Sequence, residues 1–66
     1  GRGTIAEYIH FLRIAQGSIK ELETHLLLCQ RVDLLDPPTA APALALLTDI
    51  SRMTISLITS LQRKLK

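Results

Sequence analysis

The sequence predicts an all-α fold, an antiparallel helical hairpin that is half of an up-down four-helix bundle. Three observations predict it. Apolar residues recur at alternating steps of three and four from Ile5 onward, the period of a helix packed lengthwise on other helices. A short break around Pro37-Pro38 divides two such segments, and a connection that short forces them antiparallel. Each segment also carries more apolar residues than one partner helix covers, so two helices are not enough. Residues 1–66 read as a single hairpin: a helix over about 4–32, a turn over about 33–39 and a helix over about 40–65.

The first helix is marked by Ile5, Tyr8, Leu12, Ala15, Ile19, Leu22, Leu26 and Cys29. These positions are expected to form the seam with the second helix, with Leu22 and Leu26 in the core. Strand-like alternation of period two is missing. Thr4-Ile5-Ala6-Glu7 reads as a capping box, in which the Thr hydroxyl accepts from the Glu7 amide and the Glu carboxylate reaches back. At 1.5 Å per residue the helix is roughly 40 Å long. Gly17-Ser18 interrupts it, at about 1 kcal/mol relative to Ala. Gly17 falls opposite the seam. It is either a tolerated solvent-side glycine or a point where another backbone comes close from outside the pair.

Asp33, Asp36, Pro37 and Pro38 stop this helix, because proline restricts its predecessor and lacks an amide proton. A second helix beginning at Pro37 would hold Pro42 in its interior. Thr39 is therefore the expected N-cap, with Pro42 in the first turn, where a missing donor costs nothing. Leu46, Leu47, Ile50, Met53, Leu57, Ile58, Leu61 and Leu65 form a broad apolar stripe. Arg63, Lys64 and Lys66 close the helix at its negative dipole end. Ile14, Leu28, Val32, Leu44 and Ile55 lie off both seams, further reason to expect either a homo-oligomer or a separate N-terminal half as partner.

Composition narrows the function. Aromatic residues are 3% of the chain, too few for a base-stacking surface. A net charge of +2 is mildly basic and does not by itself mark a nucleic-acid binder. One cysteine excludes an intrachain disulfide and fits a reducing, cytoplasmic setting. Uncharged runs such as Pro37 to Thr48 are too short to span a bilayer, so no membrane partner is expected. A signal-peptide pattern is missing. The chain begins Gly-Arg-Gly rather than with Met, which suggests a processed or truncated piece.

The residues assemble no catalytic constellation. His10 and His25 are fifteen apart, roughly 22 Å along one helix, and cannot share a metal. Glu21 and His25 are spaced for a surface pair rather than a metal site. Cys29 reads as an inert core thiol. No phosphate loop, zinc spacing or nucleophile–base set is present, so no cofactor, metal or enzymatic activity is expected.

One group of side chains merits a functional reading. Arg13, Lys20 and Arg31 are seven and eleven apart and return to nearly one helix angle, and Arg2 continues the row. Glu23 is the one acid within four residues of Lys20 on its face, and Arg13 and Arg31 have none three or four residues away. Arg52, Arg63 and Lys66 lie on one side of the second helix, with Asp49 near Arg52. The stripe is either a solvated polar face or a phosphate-tracking surface for RNA or DNA. Arg13, Lys20, Arg31, Arg52 and Arg63 are the candidate contacts.

A family resemblance runs along the same residues. Glu7-Tyr8-Ile9, Phe11-Leu12, Ile14-Ala15, Gly17-Ser18-Ile19 and Glu21-Leu22-Glu23-Thr24 fall in one order, followed by Ile50, Arg52-Met53, Leu57-Ile58 and Ser60-Leu61. This pattern resembles the bacterial four-helix-bundle proteins encoded in intervening sequences of 23S ribosomal RNA genes. The resemblance implies that the chain corresponds to helices three and four of that bundle, with the first two absent. It also implies a likeness in fold to the accessory protein of diversity-generating retroelements, a cyclic oligomer with a basic surface, possible contact with nucleic acid, and no enzymatic activity. The alternative is a structural or protein-interaction module whose cations only keep it soluble.

Overall fold

The computed structural model describes residues 3–65 as two helices, α1 (Ile5–Arg31) and α2 (Pro37–Lys64), packed against each other in a hairpin. The molecule measures 47 × 18 × 14 Å. No strand occurs among the described residues.

Thr4 caps α1. Its side chain accepts from the Glu7 amide at 3.1 Å, and the Tyr8 amide bonds the Thr4 carbonyl at 3.1 Å. Only half of the expected capping box forms, because Glu7 Oε1 is buried without a partner. At the other end Asp33 takes a left-handed conformation, φ 63°. The Leu34 amide donates to the Cys29 carbonyl at 2.8 Å and the Asp33 amide to the Gln30 carbonyl at 3.2 Å. These are the two bonds of a Schellman ending, with Asp in the place glycine usually takes. A short polar side chain tolerates that backbone better than a branched one.

The start of α2 corrects the sequence reading. The helix begins at Pro37, not near residue 40, and Asp36 rather than Thr39 is its N-cap. Asp36 accepts from the Thr39 amide at 3.1 Å. Pro37 and Pro38 fill the first two positions, where the amides have no partner inside the helix in any case. A strong cap and two pre-set φ angles outweigh the cost of Pro42, which lies inside the helix after all. The turn thus shrinks to Val32–Asp36. The Thr39 side chain first, and its amide second, hold the Asp36 carboxyl below its ordinary value of 3.8.

The seam is also displaced from the expected register. Along α1 the less exposed positions are Ile5, Glu7, Ile9, Leu12, Gln16, Ile19, Glu23, Leu26, Cys29 and Gln30. Ile5, Leu12, Ile19, Leu26 and Cys29 fall as expected. Tyr8, Ala15 and Leu22 are exposed, and Leu22 is 49% accessible rather than core. Ala40, Leu47, Ser51 and Ile58 are the buried residues of α2. Ala40 is fully covered, its small side chain letting the helices close together beside the turn. Off the seam, Ile14, Leu28, Val32 and Ile55 are exposed, while Leu44 is half-buried. At mid-length the Gln16 amide donates to the Ser51 hydroxyl, which places these two residues at one level of the hairpin.

Gly17 is exposed, and a Cβ there would meet nothing within 4 Å. By length and hydropathy α2 is apolar enough to cross a bilayer. Asp49 and Arg52 sit near its middle, however, where charge is costly in hydrocarbon.

Candidate nucleic-acid interface

Residues at i, i+7 and i+18 of a helix share one side, so Arg13, Lys20 and Arg31 project along one flank of α1. The Gln16–Ser51 register brings a matching flank of α2 beside it. Arg13 lines a shallow groove with Gln16, Ile55, Ile58, Thr59 and Gln62. Lys20 and Arg52 line the next stretch with Glu23, Thr48, Ser51 and Ile55. Ile55 belongs to both stretches, so Arg13, Lys20 and Arg52 border one continuous surface built from both helices. Arg63 extends it, sharing Thr59 and Gln62 with the Arg13 stretch.

Arg31 stands apart. It sits at the turn end with Leu27 and Gln30, about 27 Å along α1 from Arg13 at 1.5 Å per residue. Arg2 and Lys66 lie outside the described residues.

All five candidate cations are exposed. Among the described residues the one ion pair is Lys20 Nζ to Glu23 Oε1 at 4.0 Å, with the Lys side chain 62% accessible. A pair this open and this long contributes little. Arg13, Arg31, Arg52 and Arg63 form no ion pair among the described residues. Arg13 and Lys20 are about 10 Å apart along the helix, close to the roughly 8 Å screening length at physiological salt, so their mutual repulsion is weak.

The groove also holds residues that sequence reasoning missed. Gln62 and Thr59 stand beside Arg13 and Arg63. The Thr59 hydroxyl bonds the Ile55 carbonyl at 3.0 Å, which leaves the Gln62 amide as the neutral donor there. Their spacing from Ile55 marks one flank of α2, but nothing in the sequence says which flank of α1 it meets.

Among the described residues no three His, Cys, Asp or Glu side chains gather as metal ligands. Cys29 is a half-buried free thiol. The chemistry available here is weak, multipoint attraction for anions at the rim of a partly apolar groove.

The family model for the 23S rRNA-intervening sequence protein matches residues 1–56. That span contains all of α1, the turn, and α2 as far as Ser56. It includes Arg13, Lys20, Arg31 and Arg52 and stops short of Arg63. No curated protein and no solved structure matches the chain. With most of its length covered by that one match, the chain belongs to the 23S rRNA-intervening sequence protein family.

Proposed function

We propose that this is a non-enzymatic, oligomerising helical-bundle protein that holds RNA or DNA by its phosphate backbone. The carrying observation is the grouping of Arg13, Lys20 and Arg52 from two helices along one exposed surface, with a single weak ion pair against them. Arg63 extends this surface at one end, while Arg31 stands apart at the turn as a separate exposed cation. Exposed guanidinium and ammonium groups spaced along a groove neutralise phosphates and release counterions, and they carry no sequence information. The scarcity of aromatic residues agrees with binding that ignores base identity.

Fluorescence anisotropy with several unrelated oligonucleotides, repeated across salt concentrations, tests the reading. Three phosphate contacts predict that affinity for duplex falls about 40-fold between 50 and 200 mM salt. Replacing Arg13 and Lys20 together is expected to weaken all sequences alike and to flatten the salt slope by about two contacts. No binding at low salt refutes the reading. It would favour the second one, a protein-interaction module without nucleic-acid binding, which the exposed apolar side chains of both helices support.

A further inference from the structure

Gly17 is a residue that the hairpin itself does not use. It lies inside α1 with no positive φ, so its conformation does not call for glycine. A Cβ there would meet nothing within 4 Å, so no neighbour in the chain calls for it either. Only proline is less favourable than glycine in a helix interior. Its place on the surface supplies a reason. Arg13 and Lys20 stand about one turn before and one turn after it. Gln16, the other position between them on this flank, is turned into the seam and donates to Ser51. The surface of α1 between the two cations is therefore bare backbone. Arg52 lines the same stretch of groove as Lys20.

We propose that a phosphodiester backbone lies directly on α1 at Gly17, held between Arg13 and Lys20, with Arg52 reaching it from α2. This rests on the phosphate-binding reading above and locates the contact within it. Arg13 and Lys20 are about 10 Å apart along the helix, and a side chain between them would hold a strand off both. A Cβ at position 17 would tilt toward the start of the helix, over the turn that carries Arg13. Glycine removes that obstacle and lets the helix backbone come close to a ligand. The cations are free to bind there. Arg13 forms no ion pair among the described residues, and that of Lys20 is the open 4.0 Å contact with Glu23.

Charge favours this occupant over a packed protein helix. The neighbours of Gly17 at three and four positions away are Arg13, Ile14, Lys20 and Glu21. Three of these four are charged, and a helix seated on Gly17 would strip water from them. A strand of phosphates meets the two cations and stays solvated on its outer side. Glu21 lies on the side of Gly17 away from α2 and does not face the groove. The phosphodiester is the chemistry that RNA and DNA share, and it is all that bare helix backbone between two cations recognises.

The test is fluorescence anisotropy on the whole chain, with RNA and DNA oligonucleotides of one sequence. Wild type is compared with Gly17→Ala, Gly17→Leu and Ser60→Leu, the last at an exposed position of α2 outside the groove. Gly17→Leu removes no charge, yet it should act as a loss of the Arg13 and Lys20 contacts. The fall in affinity for duplex between 50 and 200 mM salt is expected to shrink from about 40-fold to about 3.5-fold, as two of three contacts disappear. Affinity at 50 mM should drop about tenfold or more, with Gly17→Ala in between and Ser60→Leu at the wild-type value. In a chain already carrying Arg13→Gln and Lys20→Gln, Gly17→Leu should change nothing further. Both Gly17 variants should melt no lower than wild type, so that lost binding is not lost fold. Equal effects on RNA and DNA assign the contact to the phosphates. An effect on RNA alone assigns it to the ribose and overturns the proposal. So does a wild-type salt slope in Gly17→Leu, which leaves the phosphate-binding reading standing. A lower melting temperature or a changed sedimentation mass in Gly17→Leu also overturns it, by placing another protein chain at Gly17. No binding by wild type at low salt removes both readings.

Discussion

Replacing Gln16 by Leu should stabilise the protein. Gln16 sits in the seam, where its amide donates to Ser51 while its Oε1 is buried with no partner. A buried orphan acceptor costs about 1–3 kcal/mol, and a neutral hydrogen bond returns about 1. Removing Gln16 also strands the Ser51 hydroxyl, which is 9% exposed. That hydroxyl has a local remedy, because Ser18, Thr24, Thr48, Thr54 and Thr59 all bond the carbonyl four residues back. Ser51 can do the same on Leu47. Gln16→Leu is therefore expected to add about 1 kcal/mol net, once the partial exposure of the site is allowed for. That is about 4–8 °C in melting temperature for a chain this small. Ser51→Ala alone should cost about 1 kcal/mol by orphaning the Gln16 amide as well, and the pair should show about 1 kcal/mol of coupling. Urea melts of the four proteins at one fixed concentration measure this. A loss of 1 kcal/mol or more in Gln16→Leu refutes the reasoning and makes the polar pair a net stabiliser. If the pair instead serves to specify register, the stabilised variant will show doubled amide peaks in its NMR spectrum.

Asp36 caps α2 with a carboxyl held below its ordinary 3.8 by Thr39. A lowered folded value means that the cap contributes fully above 3.8 and is lost as pH falls from there through the folded value. The wild type should therefore lose melting temperature in that acid window relative to Asp36→Asn, whose amide caps about as well and does not titrate; equal slopes for the two proteins would contradict it. Gly17→Ala should add roughly 1 kcal/mol, since a Cβ there meets nothing within 4 Å. A loss on denaturant melting would mean that another backbone approaches Gly17 in the assembly.

The hairpin was legible in local signals along the chain. The period of the apolar residues, the Thr4 cap and the proline pair are local signals, and α1 ends within a residue of where they placed it. The start of α2 was readable in principle, since Asp36 followed by Pro37 is a cap and a first turn. The penalty of Pro42 was weighed too heavily against them. The choice of seam needed the tertiary structure. α1 carries Ile5, Leu12, Ile19 and Leu26 flanked by two sets of positions, 8-15-22-29 and 9-16-23-30. Periodicity favours the first set, because it is the more apolar, yet its Tyr8, Ala15 and Leu22 are exposed and only Cys29, beside the turn, is half-buried. α2 took the set with Gln16 and Glu23, where Ser51 answers Gln16. The same step decided the basic surface. A helix angle relates Arg13 to Lys20 within α1, but only the pairing of the two helices brings Arg52 and Arg63 around to the same groove. Contacts within a helix follow from residue spacing, whereas contacts between helices depend on which of two competing faces is buried, and that is decided by both helices at once.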